Sequence, residues 1–377
     1  MPIDLILEIL SRATAKSVAR FRLASKFCAS IVRRPDFTEL FLTRSSARPR
    51  LLFFIERPSE WSFYSSPQPA LERPGNEWRF NSSSLVVTAD SQIKSPGDMD
   101  SECCRPVSGF IYFPNVHTKK RGKITVPVVY NPSTGQYTSL PQRTMRTTFR
   151  FIQSLLGYDP IDKQFKVLLY NYDKCVYHIL TFGAGKISWR KMDYEPTHEP
   201  LYQGICINGI LYCLARAYGM DPLRVACFDV RSEKHWFLDT QSMSESLRSP
   251  YRLIDYMGKL GVTYWNWQTS QPDGMRIIRL NLWVLKDVEK QEWSERVFLV
   301  RPVVECELFD DLSVVGATAT GEIVFSMNST TTPFYVFYFS PERDTTERVE
   351  IQGFEAFENP CNVFTFVDHV ENQKFIT

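Results

Sequence analysis

The spacing of apolar residues divides the chain into two parts. Near the start, four apolar residues recur at intervals of three and four positions: Leu5, Ile6, Ile9 and Leu10. That spacing places them on one face of a helix and predicts an amphipathic helical segment. Beyond Arg50, apolar and aromatic residues instead form short runs separated by Gly, Pro, Asn and Asp, which is typical of strands joined by turns. The pattern predicts a small all-α head followed by a longer all-β region.

The first segment, residues 1–45, carries the start signals of three or four short helices. Ser17 and Ser25 each precede an apolar run, where a hydroxyl can accept a hydrogen bond from an otherwise unpaired backbone amide. Asp36 and Glu39 have the spacing of a capping box and predict a last helix. A unit of about 45 residues buries too little apolar surface to be stable alone. We therefore expect the head to pack against a neighbouring domain or a partner.

The second segment, residues 50–377, contains thirteen runs with the composition of strands. They are Leu51–Ile55, Ser84–Thr88, Gly109–Phe113, Val126–Asn131, Lys166–Tyr170, Val176–Phe182, Ile210–Ala215, Arg224–Asp229, Leu260–Trp265, Ile277–Leu285, Glu322–Met327, Phe334–Phe339 and Val363–Phe366. Helical periodicity is scarce here, so we predict an all-β fold.

A repeated unit organises these strands. In each unit a strand ends at an apolar residue, a turn follows, and an aromatic residue stands seven or eight positions later. The units begin at Tyr130, Phe182, Phe228, Leu285 and, in a looser copy, Phe339, so successive starts lie 52, 46, 57 and 54 residues apart. A second motif alternates with the first and predicts a tight hairpin at Asn208–Tyr212, Lys259–Val262 and Thr320–Phe325. Two hairpins per unit of about 50 residues describe a four-stranded propeller blade, and the segment has room for about six blades. We expect the last run to pair with the first and close the ring.

The first 45 residues resemble an F-box, the helical module that docks a substrate receptor onto the Skp-type adaptor of cullin-RING ubiquitin ligases. The resemblance rests on the runs Pro2–Arg12, Lys16–Lys26 and Asp36–Phe41. It implies an adaptor and a cullin scaffold as partners. The apolar residues that would face the adaptor are Pro2, Ile6, Ile9, Leu10, Val18 and Cys28.

The rest of the chain resembles the F-box-associated domain that follows the F-box in a large plant family. Tyr130–Pro141 is similar to that domain's "YNPxTGQYxxLP" signature, and Leu156–Pro160 with Phe165–Val167 is similar to its second motif. The resemblance implies a kelch-like β-propeller that recognises a target protein. Together the two resemblances imply the substrate-recognition subunit of an SCF-type E3 ubiquitin ligase, which needs no active site of its own. They do not identify the target.

Three positions of the head depart from the F-box pattern. Ala13 and Thr14 stand where the family often has Leu-Pro, and Cys28 stands where it has Trp. Losing a large contact in a desolvated site typically costs about 3 kcal/mol or more. Two alternatives therefore stay open: a stand-alone protein-interaction propeller with a decayed F-box, and a helical cap that only packs on the next domain.

The aromatic residues of the all-β segment have two interpretations. Those of the repeat most simply pack between blades, since their repetition favours a structural role. The candidates for target binding are Tyr264, Trp265 and Trp267, because Trp and Tyr at the end of a strand are favoured anchors for protein partners. Packing in the core is the competing interpretation for these three as well.

Charge is distributed unevenly between the two segments. Residues 1–50 hold ten Lys or Arg and four Asp or Glu, a balance of +6, so the remainder carries +2 minus 6, or −4. A basic helical head favours an acidic protein partner. Nucleic acid is disfavoured, because the basic residues spread over several helices and the larger segment is slightly acidic.

The sequence offers no recognisable catalytic, metal or cofactor motif. The five histidines lie far apart, and no HExxH, Gly-x-Ser-x-Gly, GxGxxG or phosphate loop is present. The nine cysteines lack CxxC pairs, so we expect reduced thiols, and we expect no metal or cofactor. No apolar run reaches membrane-spanning length, and Asp4 and Glu8 stand where a secretory signal would be basic. We predict a soluble non-enzyme of the cytoplasm or nucleus.

Overall fold

A computed structural model of the chain describes residues 2–57, 60–69, 87–88, 98–99, 105–117, 125–141, 152–171, 175–183, 187–194, 198–217, 220–240, 243, 251–269, 276–301 and 311–374. Within these residues the chain forms four helices followed by twenty-four strands.

The head is a bundle of four short helices. They are α1 (Ile3–Ser11), α2 (Ala15–Ala24), α3 (Lys26–Val32) and α4 (Pro35–Ser46). Their inward faces form one apolar core from Leu7, Leu10, Ala15, Val18, Ile31, Val32, Phe37 and Phe41. The rings of Phe37 and Phe41 lie 5.9 Å apart at its centre. The predicted helical head is confirmed.

Hydroxyl groups cap two of these helices. Ser25 caps α3 as predicted, because its Oγ accepts a hydrogen bond of 3.0 Å from the Cys28 N–H. The prediction for Ser17 is wrong: Thr14 caps α2, and its Oγ1 accepts from the Ser17 N–H at 3.3 Å. The capping box is also wrong, because Pro35 occupies the first turn of α4 and its fixed φ sets the start of that helix.

The strands follow without a further helix among the described residues. They are β1 (Arg50–Arg57), β2 (Glu60–Pro67), β3 (Val87–Thr88), β4 (Asp98–Met99), β5 (Ile111–His117), β6 (Thr125–Asn131), β7 (Gln136–Ser139), β8 (Ile152–Asp159), β9 (Gln164–Asn171), β10 (Val176–Phe182), β11 (Trp189–Lys191), β12 (His198–Ile207), β13 (Ile210–Ala217), β14 (Met220–Asp229), β15 (His235–Asp239), β16 (Arg252–Tyr256), β17 (Lys259–Thr269), β18 (Arg276–Asp287), β19 (Glu292–Val300), β20 (Leu312–Ala317), β21 (Ile323–Met327), β22 (Phe334–Ser340), β23 (Thr345–Gln352) and β24 (Val363–His369).

The strands form six small sheets, which are the blades of a propeller. Blade 1 consists of β24, β1 and β2, blade 2 of β4–β7, blade 3 of β8–β11, blade 4 of β12–β15, blade 5 of β16–β19, and blade 6 of β20–β23. Neighbouring strands within a blade are antiparallel, and β3 adds a parallel fifth strand to the outer edge of blade 6. The predicted six-bladed propeller is confirmed.

The two ends of the propeller meet in blade 1. β24 pairs with β1 in antiparallel register, with Leu52 opposite Phe366 and Ile55 opposite Val363. The ring is therefore closed by backbone hydrogen bonds between the first and last strands, as the sequence predicts.

Apolar side chains between adjacent blades make up most of the core. The rings of Phe110 and Phe165 lie 5.3 Å apart between blades 2 and 3. The rings of Phe298 and Phe339 lie 5.4 Å apart between blades 5 and 6. The prediction that the aromatic residues of the repeat pack between blades is wrong for Tyr137, which is 50% exposed on the short outer strand β7.

The repeat corresponds to the outer hairpin of a blade. In blades 2, 4 and 5 its turn opens with a side chain whose Oδ1 accepts two backbone N–H bonds, and these residues are Asn131, Asp229 and Asp287. Four positions later the backbone takes a left-handed φ, at Gly135, Glu233 and Gln291. This conformation returns the chain into the outer strand, which explains the constant spacing of the repeat.

The tryptophan that follows the turn contacts the preceding blade. The indole N–H of Trp189 in blade 3 donates to the carbonyl of Pro141 after blade 2, at 2.7 Å. The indole N–H of Trp293 in blade 5 donates to the carbonyl of Asp239 at the end of blade 4, at 3.2 Å. In blade 4 the buried indole N–H of Trp236 has no partner in the described part of the chain.

A candidate adaptor-docking face and the junction of head and propeller

The head exposes an unusual share of apolar surface. Of the eleven exposed large apolar side chains in the described residues, five lie within the first 27 positions. They are Ile3, Leu5, Ile9, Leu23 and Phe27. Exposed apolar side chains that recur in so short a stretch of sequence are candidates for protein contact. We call these five side chains the apolar face of the head.

The helix α1 shows how this face arises. Leu7 and Leu10 point into the core of the head, while Leu5 and Ile9, four positions apart, point outward, and Ile9 is 58% exposed. Ile6 lies between the two stripes and packs against the edge of the core. The helix is therefore apolar on two sides, and only one of them is used inside the chain.

The predicted adaptor residues divide between the two sides. Pro2 and Ile9 are exposed, and Ile6 and Cys28 are half-buried, so all four can reach a partner. The assignment of Leu10 and Val18 needs correction, because both are buried in the core of the head and Val18 is 0% exposed. These two side chains hold the helices together and cannot contact a partner in this conformation.

Sequence reasoning missed four members of the apolar face. Ile3 and Leu5 belong to the same helix as Ile9, and the four-residue spacing of Leu5 and Ile9 was the available signal. Leu23 and Phe27 flank the N-cap of α3 and are 81% and 57% exposed. Nothing in their spacing separates them from core residues.

Most acidic groups of the head are neutralised within the chain. Glu8 accepts hydrogen bonds from Arg12 at 2.6 Å and Arg44 at 2.8 Å. The hydrogen bond from Arg12, followed by the charge of Arg44, holds the pKa of Glu8 below its usual value. Asp36 pairs with Arg34 at 2.6 Å. Exposed basic side chains remain on the helices, namely Lys16, Arg20, Lys26 and Arg33. The helices of the head thus carry an excess of exposed basic side chains, which favours an acidic partner.

The residues after β24 join the head to the propeller. The backbone N–H of Ala15, at the start of α2, donates to Glu371 Oε2 at 3.2 Å. The side-chain amide of Gln373, which is almost fully buried, donates to the carbonyl of Ala15 at 3.3 Å. Both backbone groups of Ala15 therefore have partners in this tail, residues 370–374.

The same tail is held by blade 2. Asn372 is 2% exposed, and its side-chain amide donates to the carbonyl of Ser108 at 2.8 Å. Asn131, the first residue of the outer turn of blade 2, donates from Nδ2 to the carbonyl of Asn372 at 2.9 Å. Gly109 has a φ of +84°, and a Cβ there would lie 2.6 Å from the Asn372 Cβ. Only glycine permits this approach.

Comparisons with known proteins agree with this architecture. The family profile described as "F-box domain" matches residues 1–40, and the profile described as "F-box associated beta propeller domain" matches residues 50–370. The chain is similar to F-box protein At3g57590 of Arabidopsis thaliana, with 46% identity over 386 residues that cover 99% of this chain and 90% of the relative. It is also similar to F-box protein At2g16450 of the same plant, with 41% identity over 418 residues that cover 98% and 92%.

The chain belongs to the F-box proteins with an F-box-associated β-propeller.

In this F-box protein, the three candidates for target binding do not form one surface. Trp265 and Trp267 lie on the face of β17 toward blade 6, with their rings 5.8 Å apart, and the Arg276 guanidinium stacks 4.8 Å from the Trp267 ring. Tyr264 lies on the other face, packs beside Tyr251 and is buried toward blade 4, which corrects its assignment. The reason is the alternation of side chains along a strand.

No group of three or more His, Cys, Asp and Glu side chains among the described residues of the F-box protein could hold a metal ion. Burial raises the pKa of the Cys206 thiol to about 11 and that of Cys213 to about 12, so both thiols stay protonated and unreactive at neutral pH. No described helix is both long and apolar enough to cross a membrane.

Proposed function

We propose that this F-box protein is the substrate-recognition subunit of a cullin-RING ubiquitin ligase of the SCF type. Residues 1–45 dock the Skp-type adaptor, which connects them to the cullin scaffold, and residues 50–377 bind the target protein. The apolar face of the head carries this proposal, because it leaves Ile9, Leu5 and Phe27 exposed in a chain that belongs to the F-box family. Covering such side chains is the main source of binding energy in an interface.

The contacts of the docking face support a hydrophobic interface on a basic head. Leu5, Ile6 and Ile9 form a continuous strip on α1, and Cys28 offers a half-buried position on α3. The exposed Lys and Arg side chains of the head would steer the approach of an acidic partner. The proposed interface therefore has an apolar centre that supplies affinity and basic side chains that raise the association rate.

The junction supports the second half of the proposal. A substrate receptor must hold its target at a defined distance from the rest of the ligase. The tail, residues 370–374, bonds both to Ala15 in the head and to Asn131 in blade 2, so the orientation of the head follows that of the propeller. This role requires no catalytic group in the chain, and it places the protein in the cytoplasm or nucleus, where ubiquitin ligases of this class act.

Calorimetry with a purified Skp-type adaptor tests the proposal. The full-length chain should bind the adaptor, and Leu5→Asp or Ile9→Asp should weaken binding at least a hundredfold, because each buries a carboxylate in an apolar interface. Val288→Asp is the matched control, since Val288 is 43% exposed in the turn between β18 and β19 of blade 5. The control should bind like the wild type, and circular dichroism should show all variants folded.

A wild-type chain that does not bind the adaptor would contradict the proposal, and the stand-alone interaction propeller would then replace it. Equal binding by the wild type and both head variants would instead refute the apolar face as the docking surface.

A further inference from the structure

The outer strands of the blades differ in length and in cover. β7, β11 and β15 have four, three and five residues, whereas β19 and β23 have nine and eight. β23 is covered at its outer edge by β3. In the described part of the chain, β19 is the last strand of its sheet and no other strand pairs with its outer edge. A long strand with an uncovered edge presents unpaired backbone N–H and C=O groups to a partner.

Beyond its contact with blade 4, one face of β19 carries two exposed apolar side chains and one exposed carboxylate. Trp293 at its start packs toward blade 4 and donates to the carbonyl of Asp239, the last residue of β15. The next residues on the same face are Glu295, Val297 and Leu299, and all three are exposed, Leu299 to 56%. Because β15 is so much shorter than β19, blade 4 leaves these side chains uncovered.

The molecule itself shows how such an edge is covered. At the neighbouring blade, β3 pairs with β23 with Val87 opposite Ile351 and Thr88 opposite Gln352. A segment from elsewhere in the chain has thus added a strand to the outer edge of blade 6. The edge of β19 presents the same backbone groups over a longer strand, with Val297 and Leu299 available for side-chain contacts.

We propose that β19 is a docking edge to which an extended segment of the target protein adds as a fifth strand of blade 5. The inference names a partner class for the propeller and rests on the proposed function. Main-chain hydrogen bonds would supply affinity, and the side chains of β19 would select the sequence. Side chains directly opposite each other in paired strands lie about 4.5–5.5 Å apart, so the occupant should complement β19 residue by residue.

The charges of β19 define the preferred occupant. A basic residue fits opposite Glu295, an acidic residue opposite Arg296, and apolar β-branched residues opposite Val297 and Leu299. Phe298 points to the other face and packs on Phe339, so its partner position is free to vary. The occupant is therefore a segment with the order basic, acidic, apolar, any, apolar, or its reverse for the opposite strand direction.

Fluorescence anisotropy with synthetic peptides tests this edge on the full-length chain. The probes are labelled nonapeptides centred on Lys-Glu-Ile-Thr-Ile and on the reverse, Ile-Thr-Ile-Glu-Lys, with a scrambled peptide of the same composition. We expect saturable binding of one order and at least tenfold weaker binding of the scrambled peptide. Val297→Lys and Leu299→Lys should each weaken binding at least tenfold. Val288→Lys is the matched control, because Val288 is exposed in the turn of the same hairpin and lies outside β19.

Hydrogen exchange gives a second measurement on the same samples. The bound peptide should slow amide exchange between residues 294 and 300 and leave β7 and β11 unchanged. Equal binding of patterned and scrambled peptides, or equal binding by the wild type and both β19 variants, would overturn the proposal. So would a concentration-dependent dimer that Val297→Lys abolishes, because it would assign the edge to a second copy of this chain.

Adaptor binding by the same variants separates this inference from the proposed function. If the adaptor binds and no peptide does, the docking edge fails while the receptor role stands. If a patterned peptide binds β19 and the adaptor does not, the receptor role fails while the docking edge stands.

Discussion

Asn131 shows why one residue type stands at one place in the repeat. Its Oδ1 accepts the N–H bonds that form the outer turn of blade 2, and its Nδ2 donates to the tail at Asn372. The corresponding positions in blades 4 and 5 are Asp229 and Asp287, which form the same turn with carboxylate oxygens only. The Nδ2 donor of an asparagine is needed only in blade 2, where the tail passes, whereas either Asn or Asp can form the turn.

Asn131→Asp should therefore disturb the tail and leave the turn intact. The change removes the donor to the Asn372 carbonyl and buries a charge, so we expect a loss of about 1–3 kcal/mol in the free energy of unfolding. The control Asp229→Asn keeps an acceptor at an exposed turn and should change stability by less than about 0.5 kcal/mol. Urea titration measures the free energy of unfolding of both variants. Equal stability of the wild type and Asn131→Asp would show that the hydrogen bond from Asn131 to the tail does not stabilise the fold.

Cys28 is a position at which the proposed adaptor interface can be strengthened. It is half-buried on α3, where the F-box pattern has Trp. Cys28→Trp should tighten adaptor binding about ten- to a hundredfold, mainly through slower dissociation, because a larger side chain fills the partner's pocket. Thr14→Pro, which would restore the family's proline, should not be combined with it, because Thr14 caps α2 and the change would remove the capping hydroxyl. Surface plasmon resonance compares Cys28→Trp with Cys28→Ser, and an unchanged off-rate would contradict the prediction.

At the scale of elements, the sequence predicts the middle strands of the blades better than the others. β9, β18 and β22 are buried along most of their length, and apolar and aromatic residues dominate their sequences. The thirteen predicted runs include both middle strands of blades 2–6 and omit β2 and the first and last strands of those blades, which are β4, β7, β8, β11, β12, β15, β16, β19, β20 and β23. In β16 and β23, for example, polar residues break the apolar pattern. Such strands are fixed by ladder hydrogen bonds, which leave no trace in composition.

Most of the predicted run Ser84–Thr88 lies outside the described residues, and only its end is a strand.

The exposed apolar residues of α1 were predicted incompletely for a related reason. Helical spacing identified apolar residues at Leu5, Ile6, Ile9 and Leu10, but spacing alone cannot say which side of a doubly apolar helix meets the rest of the head. The structure turns Leu10 inward with Leu7 and turns Leu5 outward with Ile9. Only the packing of α4 and α2 against α1 decides between the two sides.

The indole bonds between blades give a prediction at the same scale. Trp189→Phe removes the hydrogen bond to the Pro141 carbonyl and should lower the free energy of unfolding by about 1 kcal/mol relative to Trp236→Phe. Trp236 is the matched control, because its indole N–H has no partner in the described residues. Thermal unfolding of both variants checks this comparison. A larger loss for Trp236→Phe would show that the indole bond does not join blades 2 and 3.

At the scale of the whole molecule, the pairing of β24 with β1 buries a titratable group, the imidazole of His369. His369 ends β24 beside the junction, and burial, with a smaller contribution from the charge of Arg50, lowers its pKa from 6.5 to about 3. The unfolded chain takes up a proton at His369 below about pH 6.5 and the folded chain does not. Stability should therefore fall as the pH drops from 6.5 toward 3, by up to about 1.4 kcal/mol per pH unit from this residue.

His369→Gln should flatten this part of the stability profile. Urea midpoints at pH 7, 6 and 5 provide the measurement, and the variant should lose less stability across that range than the wild type does. Parallel profiles for the two proteins would show that His369 is accessible to protons in the folded state.

The central claim is that the head couples the propeller to a ubiquitin ligase. The most direct test mixes the full-length chain with purified Skp-type adaptor, cullin and RING subunits and measures the mass of the product by size-exclusion chromatography with light scattering. We expect one complex with a single copy of each component, from which Ile9→Asp releases this chain alone. A wild-type chain that elutes apart from an intact adaptor–cullin assembly would show that the head does not link the propeller to the ligase.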